Sequence, residues 1–149
     1  MRASGTHQIV VAALVAVVLA ACGGSDESRG SDAADDLQPV PTAGAVDDTG
    51  VSDVGVITTG NTFRDPTIRV DAGTTVTWTN GSAARHDILD ASEGWSNATP
   101  APDDFGVDAD TFDATGEYSF TFDDPGIYAY YCSIHGGPTV GMTGTVIVE

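Results

Sequence analysis

DDPGIYAYYCSIHGGPTVGM, residues 123–142, decides the reading of this chain. Asp123-Asp124-Pro125-Gly126 is a turn signal, because proline presets φ and glycine relaxes the backbone after it. In IYAYYC a period of two puts Tyr128, Tyr130 and Cys132 on one face and Ile127, Ala129 and Tyr131 on the other. The pattern predicts a strand with the Cys132 thiol facing inward at its end. Gly136, Gly137, Pro138 and Gly141 then allow the tight backbone path needed to return His135 and Met142 towards that thiol.

The same period recurs upstream in Ile68 and Val70, in Val76 and Trp78, and in Tyr118, Phe120 and Phe122, with Thr or Ser at many intervening positions. Turn signals separate these segments at Asp71-Ala72-Gly73 and Asn80-Gly81-Ser82, and no long helical stripe competes. The prediction is an all-β fold, an antiparallel β-sandwich over residues 52–149, with Trp78 in its core. Residues 91–111 carry Pro100, Pro102 and several aspartates without alternation. They read as a surface excursion containing a helical turn and packed by Trp95.

Residues 1–21 have Arg2 near the start and an apolar run from Ile9 to Ala21, the marks of a secretory signal peptide too short for a stable membrane span. Leu19-Ala20-Ala21-Cys22 resembles a bacterial lipobox. That likeness implies a lipid on Cys22 and a protein exported and anchored to the outer face of the cell membrane. Residues 22–51 are rich in Gly, Ser, Ala and Asp and are expected to be a disordered acidic tether. With 22 acidic against 5 basic residues and a formal charge of -17, nucleic acid is excluded as a partner. The acidity fits a salty habitat, a biased genome, or steering of a basic redox partner.

Once the leader is set aside, the sulfur and imidazole ligands left are His86, Cys132, His135 and Met142. A single thiol in an oxidising compartment has no disulfide partner and is protected if a metal holds it. Singly, His86 reads as a surface histidine, Cys132 as a core thiol and Met142 as a core side chain; jointly they make a type 1 copper donor set. Thiolate and imidazole serve zinc as well, so donor chemistry alone leaves the metal open.

Phe63, Pro66, Ile68, Val70, Gly73, Val76, Trp78 and Asn80, followed by His86 and by DPGIYAYYCSIH, resemble the plastocyanin-like and halocyanin-like blue copper proteins along nearly the whole domain. The resemblance implies a cupredoxin Greek-key sandwich binding one copper ion through His86, Cys132, His135 and Met142. It also implies that Tyr128 braces the turn before the cysteine strand; Tyr131 reads as an exposed strand residue, with the docking role of the corresponding family tyrosine as the alternative. Two departures stand out. Six residues separate His135 from Met142, where plastocyanin-like members commonly have four, and Asp87 follows the first histidine where Asn is usual. Asp87 is expected to accept a hydrogen bond from Ser133 and so tie the two ligand loops together.

The function implied is a membrane-tethered, monomeric one-electron shuttle between a redox protein donor and acceptor, with His135 as the port. The alternative is copper delivery or storage. An enzyme is not expected, because catalysis by this fold would need further histidines for a second copper centre.

Overall fold

The computed structural model describes residues 37–149. The expected signal peptide, the Cys22 lipid site and the first part of the tether lie outside the described residues. Among the described residues there are nine strands: β1 (Val46–Asp47), β2 (Asp53–Thr59), β3 (Thr62–Phe63), β4 (Thr67–Val70), β5 (Thr74–Asn80), β6 (Leu89–Asp90), β7 (Glu117–Phe122), β8 (Gly126–Gly137) and β9 (Val140–Val148). They form one sheet in the order β1-β4-β9-β8-β6 and another in the order β3-β2-β5-β7. No α-helix occurs among the described residues. The excursion contributes one 3₁₀ turn, Ser92–Gly94, and no described helix is long and apolar enough to cross a membrane.

Alternating burial explains why these segments are strands. β2 buries Val54, Val56 and Thr58, and β5 buries Thr74, Val76, Trp78 and Asn80, while the residues between them stay half-buried or exposed. Ile68, Val70, Phe122, Tyr128, Tyr130, Cys132 and Met142 join them in one apolar cluster, so the cysteine strand lies on the core. Trp78 anchors this cluster, stacked on Tyr118 and edge-on to Tyr130 at 5.3 Å between ring centroids.

The sheets are mixed, where the alternation alone suggested purely antiparallel pairing. β2 runs parallel to β5, and β4 runs parallel to both β1 and β9. Among the described strands the chain changes sheet six times, for example at Asp71–Gly73, between β4 and β5, and at Asp123–Pro125, between β7 and β8. Several neighbours within a sheet are therefore not consecutive in sequence, and the hairpin rule does not fix their direction.

A second difference concerns the expected tether. Residues 37–51 are packed onto the domain. Val40 is buried, its N–H donates to Asn97 Oδ1 at 2.7 Å, β1 pairs with Ile68 and Arg69, and the Gly50 N–H donates to Asp71 Oδ2 at 2.6 Å. Composition averaged over residues 22–51 hides this strap, because one buried valine and a few backbone bonds to an open sheet edge suffice to hold it.

Candidate metal centre

The centre is assembled from two chain segments, and a hydrogen-bonded knot positions the first. Asn80 closes β5 with its side chain buried. Its Nδ2 donates to the carbonyls of Ala84, Phe112 and Asp113, and its Oδ1 accepts from Thr58 Oγ1 and from the N–H and Oγ of Ser82. Ser82 Oγ also lies 2.9 Å from His86 Nε2. Since the single Ser82 hydroxyl proton goes to Asn80 Oδ1, Ser82 Oγ accepts from His86, which assigns the His86 proton to Nε2. Nδ1 keeps its free lone pair. That Nδ1 faces Cys132 Sγ at 3.7 Å.

β8 supplies the second segment. Cys132 is fully buried at the end of the regular pairing with β9, and the ladder shifts register between Tyr131 and Gly136. This irregularity turns His135 back, so that its Nδ1 lies 3.4 Å from Cys132 Sγ. The ligand atoms of His86, Cys132 and His135 all fall within 4.8 Å of one another. His86 and Cys132 are fully buried and His135 is half-buried. Met142 is buried in the same cluster as Cys132, two residues into β9.

Tyr128 Oη donates to the carbonyl of Asp124 at 2.9 Å, pinning the turn that enters β8. The residues between His135 and Met142 form the tip of a hairpin rather than an open loop. Gly136 pairs with Gly141, Gly137 pairs with Val140, and Pro138-Thr139 makes the turn. Gly141 has φ +83°, and a Cβ there would overlap His135 O, so glycine is required.

Asp87 joins the two segments. It is buried, and its carboxylate accepts the N–H of Ser133 at 2.6 Å and also the Ser133 hydroxyl. With both oxygens engaged, Asp87 is not a competing ligand. Arg85 turns outward to pair with Asp110 at the surface. Tyr131, read from sequence as an exposed strand residue, is half-buried in a smaller cluster with Val40, Ala91, Ala129 and Trp95, so the strap and the excursion cover part of its face.

Burial holds the His86 imidazole below its ordinary pKa, the nearby His135 adds to this, and Asp87 opposes it. The folded chain thus favours neutral His86. On acidification protons go preferentially to the unfolded chain, and the metal-free protein loses stability as pH falls below the ordinary imidazole value. Burial also pushes the Cys132 thiol up, against the lowering pull of the Asp87, Ile134 and His135 backbone. A cation among these groups would reverse that second effect by stabilising the thiolate. Two imidazole nitrogens and one sulfur, converging in a buried place with no carboxylate among the described residues grouped with them, suit copper.

The family described as "Copper binding proteins, plastocyanin/azurin family" matches residues 52–149. The chain belongs to that family. It is a cupredoxin and binds one copper ion, and the His86, Cys132 and His135 group is where its donors gather. It is 38% identical over 109 residues to halocyanin from Natronomonas pharaonis, an alignment covering 69% of this chain and 60% of that protein. With chloroplastic plastocyanin from Tetradesmus obliquus it shares 38% identity over 94 residues, covering 58% of each. The chain thus spans about 60% of the length of these relatives. A Cu-containing nitrite reductase from Thermus scotoductus SA-01 superposes with a TM-score of 0.50 at 27% identity, covering 65% of this chain but only 22% of the reductase.

Sequence reasoning passed over Ser82, which appeared only as part of the Asn80-Gly81-Ser82 turn signal. The signal was present: Asn-Gly-Ser four residues before His86 favours a side-chain-to-backbone turn that can present a hydroxyl to the ring. Replacing Ser82 with Ala is expected to release the His86 tautomer and weaken copper binding about 10- to 100-fold with the fold retained. Competition against a chelator of known affinity measures this, and unchanged affinity would contradict the assigned role.

Proposed function

We propose that this cupredoxin is a blue-copper electron carrier, in which His86, Cys132 and His135 would hold the copper strongly and Met142 weakly through its thioether, and a lipid on Cys22 holds the protein to a membrane. The observation that carries the electron-transfer reading is the closure of the donor set. His86 and Cys132 have zero exposure and only His135 is partly open, so the chain offers electrons an exit but a substrate no approach. Bound copper supplies the one-electron exchange between Cu(I) and Cu(II).

The chain's own residues do the rest. Ser82 holds the His86 ring, and Asp87 with Ser133 ties its segment to β8, which restricts how far the donors can move when the metal's charge changes. His135 is flanked in sequence by Ile134, 48% exposed, and the hairpin carries Val140, 69% exposed, giving an apolar rim suited to brief docking. The formal charge of -17 favours a basic donor or acceptor by steering its approach.

Repeated reduction and reoxidation in the presence of a Cu(I) chelator separates a shuttle from a copper delivery or storage protein. The carrier reading expects the copper to stay bound through many cycles. Transfer to the chelator within the first reduction would favour delivery. Asp87→Asn is expected to raise the reduction potential, because it removes negative charge beside the site, and voltammetry giving no upward shift would refute that electrostatic role. The membrane reading rests on the leader and the LAAC sequence. Cys22→Ala should move the protein from the membrane pellet to the soluble fraction, and unaltered partition would contradict lipid anchoring.

A further inference from the structure

The hairpin between His135 and Met142 keeps a glycine at positive φ, Gly141, but lacks the positive-φ turn residues of the tightest two-residue hairpins. Two-residue hairpin turns favour types that need φ > 0 at one or both turn residues, usually supplied by glycine or asparagine. Here the tip is Pro138-Thr139, and neither residue has positive φ. Proline cannot adopt it in any case. The tip also sends no side chain into the main core, since Pro138 is half-buried and Thr139 and Val140 are exposed. Beyond the Gly136–Gly141 and Gly137–Val140 pairing, what holds the tip comes from outside the hairpin.

That support is the 3₁₀ turn of the excursion. Gly94 lies so close to the tip that an added Cβ would come within 2.8 Å of both Pro138 Cβ and Thr139 Cγ2. The indole Nε1–H of Trp95 donates to the Pro138 carbonyl at 2.9 Å, meeting an acceptor at the turn itself. The 3₁₀ turn is in its own right well fastened. The Ala91 N–H donates to Ala129 O on β8 at 2.9 Å, and Ser92 donates to Asp90 through its N–H and its hydroxyl. On its far side the strap closes the arrangement: the Ser96 N–H donates to Gln38 O at 3.1 Å, the Val40 N–H donates to Asn97 Oδ1, and the buried Val40 shares a cluster with Ala91 and Ala129 against which Trp95 packs.

We propose that Trp95 is a positioning residue. It clamps the hairpin that carries His135 and Met142, and the strap around Val40 is the backstop that holds Trp95 in place. The extra length of the ligand hairpin is therefore not slack: residues 94–95 brace it from outside the core. The consequence for the metal rests on the copper reading given above, whereas the clamp itself is a property of the metal-free chain.

Hydrogen exchange on the full metal-free chain tests the clamp. Trp95→Phe keeps an aromatic ring and deletes the donor. It should speed exchange in segment 134–142 about five-fold, as expected for one hydrogen bond of ordinary net strength. Trp95→Ala should exceed tenfold, and Val40→Ser should show the same pattern at smaller size, with β5 amides unchanged in all three. Unchanged exchange at the hairpin in Trp95→Ala, or an equal rise throughout β5, would overturn the proposal. In the copper-loaded chain, loss of copper to a chelator should quicken in the order wild type, Trp95→Phe, Trp95→Ala. Equal release rates would overturn the positioning role. A wild-type chain that takes up no copper would count against the copper reading, and the metal-free exchange data would still decide the clamp.

Discussion

The structure depends on holding a buried thiol and a buried imidazole from two distant chain segments within contact of each other. Neither group gains from burial in its charged form. The shifts at His86 and Cys132 record that cost as a preference for the neutral imidazole and the protonated thiol. A chain that keeps such a pair dry must over-determine its position, and the surrounding hydrogen bonds do so. Asn80 binds the ends of β2 and β5 to the turn before His86, and Asp87, next to His86 in sequence, accepts from Ser133, next to Cys132. Without these links, the two segments would be joined by the core beneath them and by the two-residue ladder between β6 and β8.

The same requirement explains where backbone irregularity is tolerated. β8 and β9 pair regularly up to Tyr131 and Thr143, shift register through the donor residues, and pair again at Gly136 and Gly141. The break lets Cys132 and His135 turn to one point, while the regular ladders on either side limit the disturbance. Glycine at 136 and 141 permits the close return of the strands, and the excursion supports the turn that lies beyond them. Function and fold thus meet in one hairpin, whose root is set by the core and whose tip is set by residues 94–95.

Much of this was legible in the sequence because it is periodic or chemically distinctive. The alternation in IYAYYC put Cys132 on the buried face, and the structure buries Tyr128, Tyr130 and Cys132 together. The copper-family resemblance and the three converging donors were readable for the same reason: few residue types bind soft metals, and this chain has few of them. The rest was hidden by physics that has no period. Parallel pairing of β4 with β9 depends on where the chain changes sheets. The order of residues 37–51 depends on a single valine and on backbone donors that any sequence has. Ser82 reaches His86, and Trp95 reaches the ligand hairpin, through a single hydrogen bond each, to partners 4 and 43 residues away, and neither spacing marks them out in advance.

The central claim is that Cys132, held between His86 and His135, is the sulfur that binds copper. The direct test is to add one equivalent of Cu(II) to the metal-free chain and record its visible spectrum before and after ascorbate, beside Cys132→Ser. The account predicts an intense thiolate-to-copper band that bleaches on reduction, returns on oxidation and is absent in the variant. A pale complex without that band, or a band that survives loss of the thiol, would contradict it.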